Sequence, residues 1–272
     1  MSIKKYIPKP LRKILSIAYN KMFCFKNRAV NKLDGVFYPN EMKYYCPCCE
    51  SRIKDHISLG FEKHGNVYDP ERYKGIDQNV ICPVCYSLPR HRILAAWLDE
   101  HKSEFSGKIL YFAVEPGIVR WMKRNKVDFS SADLYNEADL KLDIENTEQP
   151  DESWDWVICN HVLEHVYNYR KALEEMYRIL KPGGTLICSF PILESRETLI
   201  EETEHTEENK AKRLKLFGQF DHLRIFGRDS EELLRSIGFE VTKIDGNKMP
   251  EEIYPVIGPA DYDVNYLFLC RK

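Results

Sequence analysis

The chain has 272 residues, 43% hydrophobic and 30% charged, the size and balance of one sizeable soluble domain with a small appendage. It has no apolar run near the roughly 20 residues that span a bilayer, and its basic N-terminus lacks the unbroken apolar stretch and cleavage site of a secretory signal. The net charge of −2 is unevenly spread: residues 1–30 hold eight Lys/Arg and no acid, leaving 32 basic against 42 acidic residues, a net of −10, over residues 31–272. A body that acidic argues against an enzyme of nucleic acid, whose binding rests on phosphate neutralisation.

Residues 1–35 form a basic segment. Within PLRKILSIAYNKMF, Leu11, Ile14, Leu15, Ala18 and Met22 recur at helical spacing, flanked by Arg12, Lys13 and Lys21. The spacing predicts a short amphipathic helix, suited either to peripheral contact of residues 1–30 with an anionic membrane surface or to packing as an arm on the domain or a partner subunit. The nine cysteines are an odd number. With no secretory signal, they point to a reducing, bacterial-type cytoplasm, at its inner membrane face if the helix meets lipid, and to metal binding over disulfides.

Residues 36–90 have a separate texture, YYCPCCESR followed by a polar stretch and VICPVCYSLPRHR. Cys46/Cys49 and Cys82/Cys85 are two C-x-x-C pairs, each with proline directly after its first cysteine. Two such knuckles complete a tetrahedral four-thiolate site suited to structural Zn²⁺. Cys48 is a substitute ligand in principle, but Cys46/Cys49 matches the second pair. A module this small builds little core of its own, so its metal is expected to contribute folding free energy directly.

Residues 91–272 read as α/β. HRILAAWLDEH is a helix with Ile93, Leu94, Trp97 and Leu98 on one face, and KILYFAV is an apolar run typical of a buried parallel strand. A helix near Ile118–Lys126 follows, then strands in DFSSADL, LKLDI and WDWVICN. The helix RKALEEMYRILKPGG, with Gly183 as its stop, leads into the strand TLICSFPI. After the segment 194–228 come the helix and strand of RDSEELLRSIGFEVTKI, with a Gly238 stop, and the closing strand VNYLFLCRK. Seven alternating strands imply a doubly wound, Rossmann-like sheet with its ligand at the strands' carboxyl ends, near the switch point.

This order, together with WDWVICNHVLEHV and MYRILKPGGTLI, resembles a class I S-adenosylmethionine-dependent methyltransferase over residues 108–272. CPVCYSLPRHR, FAVEP and FGQFDHLRIFG make the whole chain similar to a bacterial subgroup with an N-terminal cysteine knuckle pair, often associated with capsule or surface-polysaccharide synthesis. The first motif departs from the family: Tyr111 stands in place of the acid, and Ala113 and Glu115 replace two of three glycines before Gly117. Loss of glycine restricts the turn, and Glu115 could compensate by receiving the cofactor's ammonium group. The resemblance further implies that Asp133, with Leu134 beside it, binds the ribose hydroxyls, that Asp143 and the Ile144 backbone read the adenine edge, and that Asn160 faces the methionine moiety. Helix-capping or turn roles are the ordinary alternative for Asp133 and Asp143.

The octapeptide CNHVLEHV contains His161, Glu164 and His165 as H-x-x-E-H, the inverted zinc-peptidase pattern. A peptidase needs both histidines on one helix face, whereas His161 directly follows the buried strand WVIC. Two methyltransferase groups carry E-x-x-E-H here with a divalent ion, and His222 of FDHLRIFG is a plausible fourth ligand. Three roles stay open for His161, Glu164, His165 and His222: a site for Mg²⁺ or Mn²⁺ that lowers the pKa of an acceptor hydroxyl, a plain general base at His161 or His222, or a structural tie. Arg90, His91, Arg92, Arg196, Asp221 and Arg224 are candidates for contact with an anionic substrate, surface ion pairs being the alternative for each arginine. Segment 194–228 is long and charged enough to serve as a substrate lid. The expected activity is O-methylation of a small anionic or sugar-linked acceptor, a phosphoramidate or sugar hydroxyl included. An rRNA or tRNA methyltransferase and a non-catalytic zinc-knuckle binding module are the alternatives.

Overall fold

The computed structural model describes residues 22, 25–58, 79–200, 207–253, 262–263 and 266–272. The expected helix around Leu11–Ala18 lies outside them; residues 25–37 form helix α1. The cysteine-rich region supplies two small antiparallel pairs, β1 (Tyr44–Cys46) with β2 (Ser51–Ile53) and β3 (Ile57–Ser58) with β4 (Asn79–Ile81). The α/β body follows as α2 (Pro89–Glu100), β5 (Ile109–Phe112), α3 (Pro116–Asn125), β6 (Ser130–Ala132), β7 (Trp154–Asn160), α4 (Tyr169–Ile179) and β8 (Leu180–Ser189). Next are β9 (Ile192–Leu193), β10 (Leu199–Ile200), α5 (Glu207–Phe217), β11 (Arg224–Gly227), α6 (Ser230–Arg235), β12 (Glu240–Asp245), β13 (Tyr262–Asp263) and β14 (Tyr266–Arg271).

The central sheet has six strands in the order β12-β14-β8-β7-β5-β6, not the expected seven. β6, β5, β7 and β8 run parallel, whereas β14 is antiparallel to both β8 and β12. The missing strand is LKLDI. Leu140 makes only an isolated bridge to Ala132, and Asp143 then turns the chain by accepting from the Glu145 N–H. Such a side-chain turn competes with the ladder for backbone groups. The chain leaves β5 for β6 on one side and returns to β7 on the other, so the switch point lies between β5 and β7.

A second correction concerns KPGG. Helix α4 ends at Ile179, Leu180 is already extended, and β8 runs through Gly183 and Gly184. Pro182 disfavours the α region at Lys181, and Gly183 N–H instead donates to the Lys272 carbonyl. Gly238, by contrast, follows α6 at φ +119°, as the stop signal requires.

Each face of the sheet has its own core. One packs Leu173, Met176 and Ile179 of α4 and Leu234 of α6 against Leu110, Val157, Leu186 and Phe268. The other packs α2 and α3 against Tyr111, Ile158, Ile187 and Leu267, and it continues without a break into Cys46, Ile53, Cys82 and Cys85. The cysteine-rich region is therefore part of the wall of the α/β body. Arg124 of α3 strengthens the join by donating to the Pro47 and Cys48 carbonyls at 3.0 and 2.9 Å.

Segment 194–228 is built around a second sheet, β10-β11-β9-β13, backed by Phe217 of α5 against Leu193 and Ile225. Gly227 is required there by close approach: a Cβ would come within 2.3 Å of the Arg196 carbonyl oxygen.

Candidate active site

The carboxyl ends of β5 and β7 bring together most of the chemistry-bearing residues. At the end of β5 the turn enters through Ala113 at φ +48°, so the backbone keeps the left-handed conformation a glycine would supply, at the strain of an alanine. Glu115 follows, buried, and its Oε1 accepts from Arg90 Nε at 2.8 Å and from His91 Nε2 at 2.6 Å. His91 Nδ1 accepts the Leu88 N–H, which leaves the proton on Nε2 to be donated to Glu115. Burial works against the Glu115 charge, but Arg90 and His91 more than offset it and hold the carboxyl well below its usual range. The Tyr111 hydroxyl, also buried, accepts the Glu115 N–H at 3.2 Å and lies 3.4 Å from Oε2. Gly117 abuts the same knot, since a Cβ there would meet His91 Nδ1 at 3.2 Å and Ser87 Cβ at 3.3 Å. FAVEPG is thus shaped as much by the cysteine-rich region behind it as by any ligand in front.

At the end of β7, Asn160 is buried and its Oδ1 accepts from the Ser189 hydroxyl at 3.0 Å. His161 takes φ +50° and donates its backbone N–H to the Ser189 carbonyl, so residues 161–165 leave the strand as a turn, not a helix. That geometry excludes the inverted-peptidase helix. Glu164 is fully buried, with Oε1 3.1 Å from His161 Nδ1. Donor atoms of Glu164, His165 and His222 lie within 4.8 Å of one another; His161 stands beside this trio, outside it. The rings of His165 and His222 meet edge to face at 4.8 Å. His165 Nδ1 lies 3.2 Å from the Asp221 carbonyl, which can only accept, so the proton sits on Nδ1 and the Nε2 lone pair is left for a ligand.

The segment before and within β11 sets this arrangement. Leu223 N–H donates to the Glu164 carbonyl at 2.8 Å, and Arg224 donates to the carbonyls of Leu163, Val166 and Tyr167. FDHLR therefore clamps the loop after β7 and delivers His222 to Glu164 in one motif.

The electrostatics of the cluster fit a cation. Burial depresses His222 to about 4 and also lowers His161, so both rings are neutral near pH 7. Burial would raise Glu164, but the three histidines around it bring the carboxyl down to about 2. Glu164 Oε2, His161 Nε2 and His222 Nδ1 are buried without a hydrogen-bond partner, while Glu164 Oε1 meets His161 Nδ1. A buried carboxylate left in that state is costly, and buried charges are normally paired or metal-bound.

On the far side of His91, the four sulfurs of Cys46, Cys49, Cys82 and Cys85 lie within 4.8 Å of one another, with Cys46–Cys85 at 3.6 Å and Cys49–Cys82 at 3.9 Å. Tetrahedral Zn–S bonds of about 2.3 Å require sulfurs about 3.8 Å apart, so the donor set fits zinc. Cys48 is turned away, its thiol directed at the His91 carbonyl 3.3 Å off. Ser87, absent from the expected set, lies 3.1 and 3.3 Å from the sulfurs of Cys46 and Cys85. Its signal was its place two residues after the second knuckle.

Several expected contacts are spent elsewhere. Arg92 is fully buried and donates to the carbonyls of Val80, Ser87 and Ile253. Arg92 and Arg224 thus direct these hydrogen bonds to main-chain carbonyls. Arg196 is exposed, and the Asp221 carboxylate is half-buried near His165. Asp133, ending β6, accepts through Oδ1 from the N–H groups of Tyr135 and Asn136, while Oδ2 accepts only from the Asn136 side chain. Leu134 beside it is half-exposed and Ile144 is buried.

Residues 113–188 match the family model described as a methyltransferase domain. A demethylmenaquinone methyltransferase of Listeria monocytogenes is 37% identical over 67 residues, 25% of this chain and 28% of that protein. Its namesake in Oceanobacillus iheyensis is 31% identical over 97 residues, 35% of this chain and 37% of that one. The chain thus spans about a quarter to a third of the length of these curated relatives. Among solved structures, an S-adenosylmethionine-dependent methyltransferase from Archaeoglobus fulgidus superposes with TM-score 0.43 at 15% identity, over 67% of this chain and 94% of that one. The 1,6-didemethyltoxoflavin-N1-methyltransferase of Burkholderia thailandensis gives TM-score 0.44 at 14% identity, over 67% and 78%. The matched span, residues 113–188, runs from the turn after β5 through the loop after β7 into β8.

Proposed function

We propose that the chain transfers a methyl group from S-adenosylmethionine to a hydroxyl of a small acceptor, with a divalent ion at Glu164, His165 and His222. The observation that carries this reading is the fully buried Glu164 carboxylate, one oxygen on His161 Nδ1 and the other without a hydrogen bond, beside two histidine donors at the mouth of β7. The left-handed turn at Ala113 and the acid ending β6 fit the cofactor. Asp133 Oδ2, with its single side-chain bond, is available to ribose hydroxyls, and the motif resemblance assigns the adenine edge to Asp143 and the Ile144 backbone. Glu115 is committed to Arg90 and His91, so its part is to fix the turn.

Bound there, S-adenosylmethionine supplies an electrophilic methyl carbon on its sulfonium, and a divalent ion supplies Lewis acidity toward an acceptor oxygen. The chain's own residues align and deprotonate. Glu164 holds the His161 ring through Nδ1, which leaves Nε2 as the proton acceptor. Burial around Asn160, His161 and Ser189 keeps water from the reacting atoms. Arg90 and the exposed Arg196 are the cationic side chains left for an anionic acceptor. A sugar-linked acceptor of capsule or surface-polysaccharide synthesis rests on the motif resemblance alone. The net of −10 over residues 31–272 disfavours an RNA acceptor.

Two measurements test the reading. Asp133→Ala is expected to weaken S-adenosylhomocysteine binding about tenfold or more in a calorimetric titration, the loss of ribose hydrogen bonds of about 1.5 kcal/mol or more to a charged acceptor. Unchanged affinity would place the ribose elsewhere, and no binding by the wild type would leave the non-catalytic zinc-knuckle module. Chelation that spares the cysteine site is expected to abolish turnover, with recovery on Mn²⁺ or Mg²⁺. Activity that persists in chelator would assign proton removal to His161 without a metal.

A further inference from the structure

Helix α1 is mounted with its polar side inward. Asn27 Nδ2 donates to the Tyr86 hydroxyl at 2.8 Å, Arg28 Nε to the Val84 carbonyl at 3.3 Å and Asn31 Nδ2 to the Arg52 carbonyl at 3.1 Å. These bonds anchor the helix on the cysteine-rich region. At 100° per residue, Phe25, Val30, Leu33, Val36 and Phe37 share an arc of about 140° on the other side. All five are exposed, by 76, 47, 55, 67 and 69% respectively. An ordinary surface helix turns such a stripe toward the core; here the hydrogen bonds hold it outward.

What covers the stripe is indicated by charge. Lys26 lies within it and Lys32 at its border, and residues 1–30 carry eight cations and no acid. A second copy of the chain would bring the same cations against these. An anionic surface would attract them while accepting the aromatic and aliphatic side chains, and no helix among the described residues is long and apolar enough to cross a bilayer. We propose that α1 lies in the surface of an anionic membrane, apolar stripe down, with the cysteine-rich region as its mount. The inference stands on α1 alone and is independent of the methyl-transfer reading.

The test uses the full chain, metal-loaded, in flotation with vesicles of phosphatidylcholine with or without about 30% phosphatidylglycerol. Leu33→Asp/Val36→Asp changes only exposed positions, and an unaltered thermal melt confirms its fold. The wild type is expected to float with the anionic vesicles. Binding should fall about tenfold or more without phosphatidylglycerol or in about 0.5 M salt, and by a similar factor in the variant. Equal binding by the variant overturns the proposal, because charge alone then suffices. Absence of vesicle binding also overturns it: a dimer in sedimentation velocity that the variant dissolves assigns the stripe to a second copy, and a monomer assigns it to cover from within the chain.

Discussion

Glu164→Gln is expected to lower turnover by about 10²–10⁴-fold, the range for loss of a positioned proton-transfer apparatus. Its thermal midpoint should hold or rise. The reason is specific to this carboxylate: it is fully buried, Oε1 meets His161 Nδ1 at 3.1 Å, and Oε2 has no hydrogen bond. A buried group kept ionised with one oxygen left unbonded is a group kept for chemistry. The amide removes one negative charge, which relieves the buried anion while weakening divalent binding and the hold on His161. Single-turnover kinetics with Mn²⁺ titration checks this. Unchanged turnover would reduce Glu164 to a tie for the loop after β7.

With zinc as the ion held by the four cysteines, Cys82→Ser should cost the protein that metal and its fold together. A four-thiolate site contributes about 10–16 kcal/mol of apparent binding free energy, against about 5–15 kcal/mol for the net stability of a whole domain. Because Cys82 and Cys85 share a core with Ile109, Trp121 and Ile158, unfolding there strips the wall from one face of the sheet. Cys48→Ser is the contrasting case. Its thiol reaches the His91 carbonyl and it stands outside the group of four sulfurs, so zinc should be retained at a cost of about 1 kcal/mol. Zinc content by elemental analysis and thermal melts separate the two variants. A fully metallated, stable Cys82→Ser protein would contradict the four-cysteine site.

The elements that the sequence placed well have a signal in the local chain. Apolar runs such as KILYF and WDWVICN became the buried parallel strands β5 and β7, and the paired C-x-x-C spacing brought four sulfurs within 4.8 Å. LKLDI failed because alternation of apolar residues says nothing of whether Asp143 turns its side chain back onto the Glu145 N–H. KPGG failed because Pro182 acts one residue upstream, ahead of the glycines. The surroundings of Arg92 and Arg224 were not legible for a different reason. An arginine in a motif looks alike whether it meets a substrate or three carbonyls, and burial decides which.

By itself, the sequence determined the α/β pattern of the body, the four cysteines and the H-x-x-E-H segment, because each is written in adjacent residues or in fixed spacing. Only the tertiary structure decided what those residues do to one another. Packing the cysteine-rich region against α2 and α3 put His91 and Arg90 on Glu115. The clamp of Arg224 on the loop after β7 put His222 beside Glu164 across 58 residues of chain, a distance no local pattern encodes. The same packing holds α1 by its asparagines and turns its apolar stripe outward. Periodicity identifies the stripe, but which way it faces depends on the hydrogen-bonding partners the folded protein provides.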